Sequence, residues 1–366
     1  ANVHVIMTEN ACNFINPITF ETLTGNKCLV DTFDRNFQFN VEHISLAKLA
    51  DIFLVAPASA DVIGKIANGI ADDMLTTTIM ACKCPKLISP AMNTNMFTNP
   101  IVQDNLKKLE NYGYEIIQPD SGYLACGDTG AGKMPSEQVL LNYILRTIAK
   151  DKDMAGIKLT VTAGPTREKL DPVRFLSNNS TGKMGYAIAK MAMLRGADVT
   201  LISGKVSLEP VPFVKMVDIV SAEDMYNAVI KSAKDADIII KAAAVADYRP
   251  SDVSDEKIKK KDGDMSIPLE RTKDIIGTLG SSKRDGLFLC GFSMETEHML
   301  DNSKVKLTKK NLDMIVANNV KVAGAGFGTD TNVVTVITKD AVEELPMMSK
   351  EEVADVLLDR IMKARQ

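Results

Sequence analysis

Apolar positions along this chain follow two alternating rhythms. Short apolar runs are separated by longer stretches in which apolar residues return every three to four positions, the pattern of parallel strands with helices on their faces. In the first half, Val3–Met7, Ile52–Ala56, Lys86–Ser89 and Glu115–Ile117 read as strands, and Ile44–Ala50, Ala60–Asn68, Met74–Ala81, Ile101–Tyr112 and Ser136–Ala149 as helices. The polar, non-periodic stretch Lys150-Asp151-Lys152-Asp153-Met154-Ala155-Gly156 marks a domain boundary. The rhythm then restarts with strands Lys158–Thr162, Asp198–Ser203, Asp237–Lys241, Leu287–Gly291, Met314–Ala317 and Val333–Thr338. Helices Gly182–Arg195, Ala222–Ala233 and Lys350 to Lys363 alternate with them. The expected architecture is α/β: two Rossmann-like domains, 1–150 and 157–366, the second opening with a mononucleotide-binding βαβαβ unit.

Composition narrows the field. Hydrophobic residues make up 45% and charged residues 25%, with a formal net charge of −4. That is an ordinary soluble globular profile with no electrostatic footprint for nucleic acid. No apolar run approaches the ~20 residues that span a bilayer. Six cysteines at 12, 28, 82, 84, 126 and 290 are scattered, as free thiols in a reducing cytosol would be, and none has zinc-like spacing. Histidine chemistry is confined to His4, His43 and His298. Ala1–Thr8 reads as a strand entering a turn, with the expectation that a βα unit of roughly 30 residues is missing before it.

Two segments imitate nucleotide loops. Gly127-Asp128-Thr129-Gly130-Ala131-Gly132-Lys133-Met134 nearly spells a Walker A motif, but Met134 stands where a magnesium-binding hydroxyl is needed. Ser177–Gly185 opens a helix, yet lacks GxGxxG spacing, and no acidic residue ends the next strand. It reads equally as a polar cap with glycines for close packing or as a phosphate-holding helix start.

Three features of the first half could carry carbanion chemistry: His43 ahead of an amphipathic helix, Asn93 after a buried strand, and Cys126 in a glycine-rich segment. Singly, each reads as a surface, turn or core residue. With Glu42–Ala47, Pro57–Asp61, Gly69–Met74, Pro90–Met96 and Ala125–Met134, the first half resembles the phosphopantothenoylcysteine decarboxylases, which are flavodoxin-like flavoproteins. The resemblance implies bound FMN, which oxidises the cysteinyl thiol to a thioaldehyde, an electron sink for loss of CO₂. It implies His43 as base, Asn93 as the residue orienting the carboxylate, Cys126 as proton donor, and Met92 against the substrate. Thr8 and Pro57, Ala58, Ser59 and Ala60 would line the flavin.

In the second half, Ala163–Asn178 is a long loop after the first strand, Ala242–Tyr248 is rich in small residues, and Glu256–Lys261 concentrates positive charge. Lys306, Lys309 and Lys310 form another basic cluster. Such runs are either solvated loops or phosphate clamps. Together with Ser180–Gly185 and Gly291-Phe292, Glu295-Thr296, these segments resemble the CTP-using phosphopantothenate–cysteine ligases over nearly all of 157–340. By that resemblance, Asn178 handles an acyl-cytidylate, and Arg174 contacts substrate. Lys241, Ala242, Ala243, Asp247, Lys257, Thr272, Lys273, Asp274, Ile275, Phe292, Lys306 and Lys310 bind CTP with Mg²⁺. Lys241 stands where a small residue is expected.

The combined expectation is a cytoplasmic bifunctional enzyme. It joins cysteine to 4′-phosphopantothenate and decarboxylates the product to 4′-phosphopantetheine. The resemblance further implies trimer-based dodecamers through the first domain and dimers through the second. The alternatives are a ligase with an inactive decarboxylase domain, an NAD(P)-dependent oxidoreductase, and a non-catalytic subunit.

Overall fold

The computed structural model describes residues 1–33, 42–124, 127–259, 265–295, 298–319, 326 and 328–365. The chain divides into two compact units, Ala1–Ala149 and Lys150–Gln366. Among the described residues no helix is long and apolar enough to cross a membrane.

Unit one is centred on a parallel sheet of order β1-β2-β3 (Phe53–Ala58, Lys86–Pro90, Glu115–Ile116). Its helices are α1 (Pro17–Thr24), α2 (Glu42–Leu49), α3 (Ala60–Ala67), α4 (Met74–Ala81), α5 (Thr94–Phe97), α6 (Pro100–Asn111) and α7 (Glu137–Ile148). Helix α3 shows why they form: Ser59 caps its first turn, and Val62, Ile63, Ile66 and Ala67 recur on one buried stripe. That stripe packs with Val55, Ile88 and Leu109. Among the described residues the expected strand Val3–Met7 makes a single bridge, Ile6 to Leu29. Its partner run lies between the end of α1 and the turn at Thr32–Phe33, too short to carry a ladder. The Walker-like segment is a strand, β5 (Thr129–Lys133), antiparallel to β4 (Asp120–Tyr123), with Lys133 opposite Asp120. No helix begins at that lysine, so the P-loop reading fails.

Unit two is built on an eight-stranded sheet. Its elements are β6 (Lys158–Ala163), β7 (Arg167–Lys169), β8 (Phe175–Ser177), α8 (Lys183–Leu194), β9 (Asp198–Ser203), β10 (Lys215–Asp218), α9 (Ala222–Ser232) and β11 (Ile238–Lys241). There follow β12 (Tyr248–Pro250), β13 (Leu269–Arg271), α10 (Ile275–Ser281), β14 (Phe288–Glu295), α11 (Met299–Lys309) and β15 (Met314–Asn319). The chain ends with β16 (Thr331–Asn332), β17 (Val334–Thr338), β18 (Val342–Glu344), β19 (Met348–Ser349) and α12 (Lys350–Ala364). The sheet order is β10-β9-β6-β11-β14-β15-β17-β18. The first six strands are parallel, and β17 and β18 are antiparallel.

The pleat sends alternate residues to opposite faces. Val161, Ile238, Ile240 and Val316 meet α8 and α12, while Ile239, Leu289 and Ile315 meet α9, α10 and α11. The polar boundary stretch docks onto unit two. Met154 is fully buried, Lys150 pairs with Asp355 at 2.5 Å, and Asp153 pairs with the buried Arg195.

Candidate functional site

The strand order of unit two reverses between β6 and β11, and in such sheets ligands bind outside the carboxyl ends at that point. Here the two strand ends are sewn together. Gly164, in the left-handed region (φ 72°), accepts from the Ala244 N–H at 3.0 Å, and the Ala244 carbonyl accepts from Thr166 N–H at 3.3 Å. The Asn178 amide also donates to the Ala244 carbonyl, at 3.1 Å. Thr162 Oγ1 accepts from Ala243 N–H at 3.1 Å, and Thr166 Oγ1 from Ala246 N–H at 3.0 Å. Thr272 Oγ1 donates to the Ala246 carbonyl at 2.7 Å, and its N–H to the Asp247 carbonyl at 3.0 Å. A side chain at Gly185 would place its β-carbon 2.6 Å from that of Ala163, so glycine lets α8 close on β6. Asn178, Ala242, Ala243, Asp247 and Thr272 thus converge on one crevice.

A charged rim adjoins it. Asp274 caps α10 through Gly277 N–H at 3.0 Å and pairs with Lys310 at 3.0 Å. Between α10 and α11 lies a cleft of about 660 Å³ lined by Asp274, Asn302, Val305, Lys306 and Lys310. The half-buried Lys241 ammonium sits below its ordinary pKa, first through burial and then through Lys310, with Asp274 and Asp247 opposing. Burial would raise the Asp274 carboxyl, but the Gly277 amide, Lys310 and Lys241 hold it down. Lys273 instead pairs with Glu223 at 2.6 Å and lies 4.9 Å from the Tyr226 ring centroid.

Three further nucleotide candidates are placed differently from those in the crevice. The Ile275 side chain is buried in the core beneath α9, leaving only its backbone to a ligand. Phe292 packs against the α8 and α12 face of the sheet, opposite the face that carries α10 and α11. Lys257 is exposed, on a segment pinned at Ile258, where Arg174 donates to the Ile258 carbonyl at 2.9 Å. Lys260, Lys261 and Thr296 lie outside the described residues. Sequence reasoning missed the buried anchors Thr162 and Thr166. Their signal was a hydroxyl within or just beyond an otherwise apolar strand.

In unit one, Ser59 follows the carboxyl end of β1, and Met92 and Asn93 follow that of β2. Ser59 Oγ accepts from Val62 N–H at 3.3 Å at the head of α3. Ala58 is fully buried, so its side chain cannot line a ligand, and Pro57 belongs to β1 rather than to a loop. Asn93 accepts from Asn95 N–H at 2.8 Å and donates to Asp128 at 3.1 Å. Met92 N–H donates to the Gly132 carbonyl at 3.0 Å, holding the β4–β5 hairpin on this strand end. The buried hydroxyls of Ser89 and Thr94 have no hydrogen-bond partner among the described residues. Thr8 Oγ1 accepts from Ala11 N–H at 3.2 Å in a turn. His43 lies in α2, which packs on α4, and its side chain makes no hydrogen bond among the described residues. Cys126 lies outside the described residues. The structure therefore joins Asn93 to Met92 and the hairpin, without linking His43 to them.

Comparison with known proteins gives the context. Residues 1–149 match the flavoprotein family, and residues 154–364 match the DNA/pantothenate metabolism flavoprotein C-terminal domain. The chain is 48% identical over 365 residues to the coenzyme A biosynthesis bifunctional protein CoaBC of Bacillus subtilis (strain 168), covering 99% of this chain and 90% of that protein. A cysteine/cysteine sulfinic acid decarboxylase of an unknown prokaryotic organism is 42% identical over 354 residues, covering 95% of this chain and 99% of that protein. A solved C-terminal domain of a coenzyme A biosynthesis bifunctional protein superposes with TM-score 0.50 at 44% identity, covering 58% of this chain and 97% of that one.

Proposed function

Because the chain belongs to the family of coenzyme A biosynthesis bifunctional proteins, we propose that unit two ligates cysteine to 4′-phosphopantothenate and unit one decarboxylates the product. The observation that carries the ligase reading is the hydrogen-bonded crevice at the β6–β11 switch point, rimmed by Lys241, Lys306 and Lys310.

A carboxylate resists amines because oxide is a poor leaving group. Attack on the CTP α-phosphate converts it to an acyl-cytidylate and releases pyrophosphate, and the cysteine amine then displaces CMP. Lys306 and Lys310, at the carboxyl end of α11, meet the triphosphate charge. Asn178 is fixed on the Ala244 carbonyl, and its Oδ1 is available to a substrate N–H. The ion Mg²⁺ arrives with the triphosphate, whose oxygens are the hard ligands it prefers.

For unit one, the unpartnered Ser89 and Thr94 hydroxyls and the Ser59-capped start of α3 fit an FMN at the ends of β1 and β2. Bound FMN supplies the reversible oxidation that makes loss of CO₂ feasible. Asn93, fixed at both ends of its amide, orients the departing carboxylate. His43 takes a proton, and Cys126 returns one. The exposed Phe14, Ile18, Leu23 and Phe33 of unit one support self-association through that unit. A cytoplasmic location suits free thiols and these substrates.

Supplying 4′-phosphopantothenate, cysteine, CTP and Mg²⁺ and weighing the products tests both steps. Phosphopantetheine is expected. Phosphopantothenoylcysteine alone leaves only the ligase, and absence of CTP turnover removes the reading altogether.

A further inference from the structure

The turn between β7 and β8 holds an unusual carboxylate. Asp171 is 2% exposed, yet it accepts five hydrogen bonds. Its Oδ1 takes Val173 N–H at 2.8 Å and Arg174 N–H at 2.7 Å. Its Oδ2 takes Arg174 Nε at 2.9 Å, Arg174 Nη2 at 2.6 Å and Ile258 N–H at 3.2 Å. The first two close the turn, which Leu170 N–H to the Arg174 carbonyl (3.0 Å) reinforces. The others reach outward: Asp171 takes the N–H of Ile258 while Arg174 Nη2 donates to its carbonyl at 2.9 Å. A further tie, Ser254 N–H to the Leu170 carbonyl at 3.1 Å, fixes the same segment upstream.

Both backbone polar groups of Ile258 are therefore spent on one Asp–Arg pair. Ile258 stands between Lys257 and Lys259, both exposed. A lysine on a free loop pays side-chain and backbone entropy when it closes on phosphate. A lysine whose neighbour is clamped at both its N–H and its C=O has the backbone part already spent. The turn that supplies the clamp leads through β8 directly to Asn178 in the crevice. A closed turn alone would need only the two Oδ1 bonds, so the Oδ2 bond to a segment more than 80 residues away serves something else.

We propose that Asp171 is a positioning residue for CTP binding: with Arg174 it clamps Ile258 and thereby sets Lys257 where the triphosphate is received. It touches no substrate itself. This rests on the ligase reading of unit two. The Arg174 guanidinium, working against burial, together with the Val173, Arg174 and Ile258 amides, holds the Asp171 carboxyl far below the usual carboxylate range, so the clamp stays charged at any working pH.

The test is a double-mutant cycle on the full chain, read as KM for CTP against kcat. Asp171→Asn keeps the shape and forfeits the charge. It is expected to raise KM for CTP about tenfold with kcat changed less than about twofold, while Lys257→Ala raises KM similarly. In the double variant the second substitution adds little, because both remove the same contact. Multiplying effects, or an Asp171→Asn loss confined to kcat, would overturn the proposal. Should Asp171→Asn fail to fold, amide exchange on the wild-type chain decides: protection at Ile258 above that of exposed Val253 and Asp255 supports the clamp, and equal exchange removes it. Wild-type protein that turns over no CTP would sink the ligase reading instead, a result the exchange measurement does not mimic.

Discussion

At the switch point of unit two, Asn178, Ala244, Thr166, Ala246 and Thr272 are joined by consecutive hydrogen bonds. In unit one, Asn93 closes onto Asn95 and Asp128, and no hydrogen bond joins the His43 side chain to them. The difference follows from topology. A six-strand parallel sheet whose order reverses must splay its crossovers to opposite sides, and the crevice exists before any ligand arrives. Among the described residues unit one offers a three-stranded parallel sheet, a capped helix start and a hairpin, and it leaves Phe14 and Leu23 exposed. The first kind of site is tied together by its own hydrogen bonds; the second is a pair of strand ends with a hairpin held against one of them.

The largest expected effects separate the two chemistries. Cys126→Ser should slow decarboxylation by roughly 10²–10⁴-fold, the usual worth of a positioned acid, and leave ligation unchanged. Mass analysis should then show an oxidised, decarboxylated species accumulating after the ligase product. Asn178→Asp should slow ligation by roughly 10²–10³-fold and let acyl-cytidylate build up, because a carboxylate there repels both the Ala244 carbonyl and the phosphates. Unimpaired final product from either variant would strip that residue of its role. Loss of both activities from either one would break the contrast between the units.

A smaller effect sharpens the unit-two side. Lys241 is held below its ordinary pKa by burial and by Lys310. The unfolded chain therefore binds this proton more readily than the folded one, so stability rises with pH between the folded and unfolded values and is reduced below them. At neutral pH the lysine is a liability in the empty protein. An arriving triphosphate reverses the balance by favouring the charged form. Lys241→Met should therefore raise Tm by a few degrees at neutral pH, yet weaken CTP binding about tenfold. In the wild type, calorimetric affinity for CTP should fall as pH climbs through the lowered pKa, and in the variant that alkaline limb should disappear. A variant that is destabilised and binds CTP normally would show that Lys241 packs rather than recognises.

What the sequence disclosed depended on whether a signal was local. The strands of unit two were legible because a continuous apolar run such as Ile238–Ile240 reflects burial on both faces. Helix α1 was overlooked although Asn16, Pro17 and Gly25 (φ 71°) bracket it with ordinary start and stop residues. Its lack of a buried face removed the periodicity that would have drawn attention. Val3–Met7 had the composition of a strand, but pairing needs a partner, which no local pattern encodes. Within the site, Lys306 and Lys310 read as a charge cluster; the helix they terminate, whose dipole they complement, was not recognised. The face taken by Phe292 was not legible, because face depends on register, and a one-residue difference exchanges the two sides of a sheet. Asp171 gave no signal, since its partner Ile258 is distant in sequence.

The smallest effect tests whether the units are energetically separate. Each contains a full capping box: Asp73 with Thr76 at the head of α4, and Ser221 with Asp224 at the head of α9. In each, the cap side chain accepts the third amide of the helix, at 2.7 Å for Asp73 and 3.1 Å for Ser221. Replacing either by alanine orphans an amide and should cost about 1 kcal/mol. For units of this size that is a fall of roughly 2–4 °C in Tm. Asp73→Ala should lose somewhat more, because its carboxylate also faces Lys65 at 3.8 Å and the positive end of α4. Calorimetry should resolve two transitions, one shifted by Asp73→Ala and the other by Ser221→Ala. If each variant shifts both transitions together, the units fold as one cooperative body. The hydrogen-bonded crevice and the strand-end site would then be energetically linked.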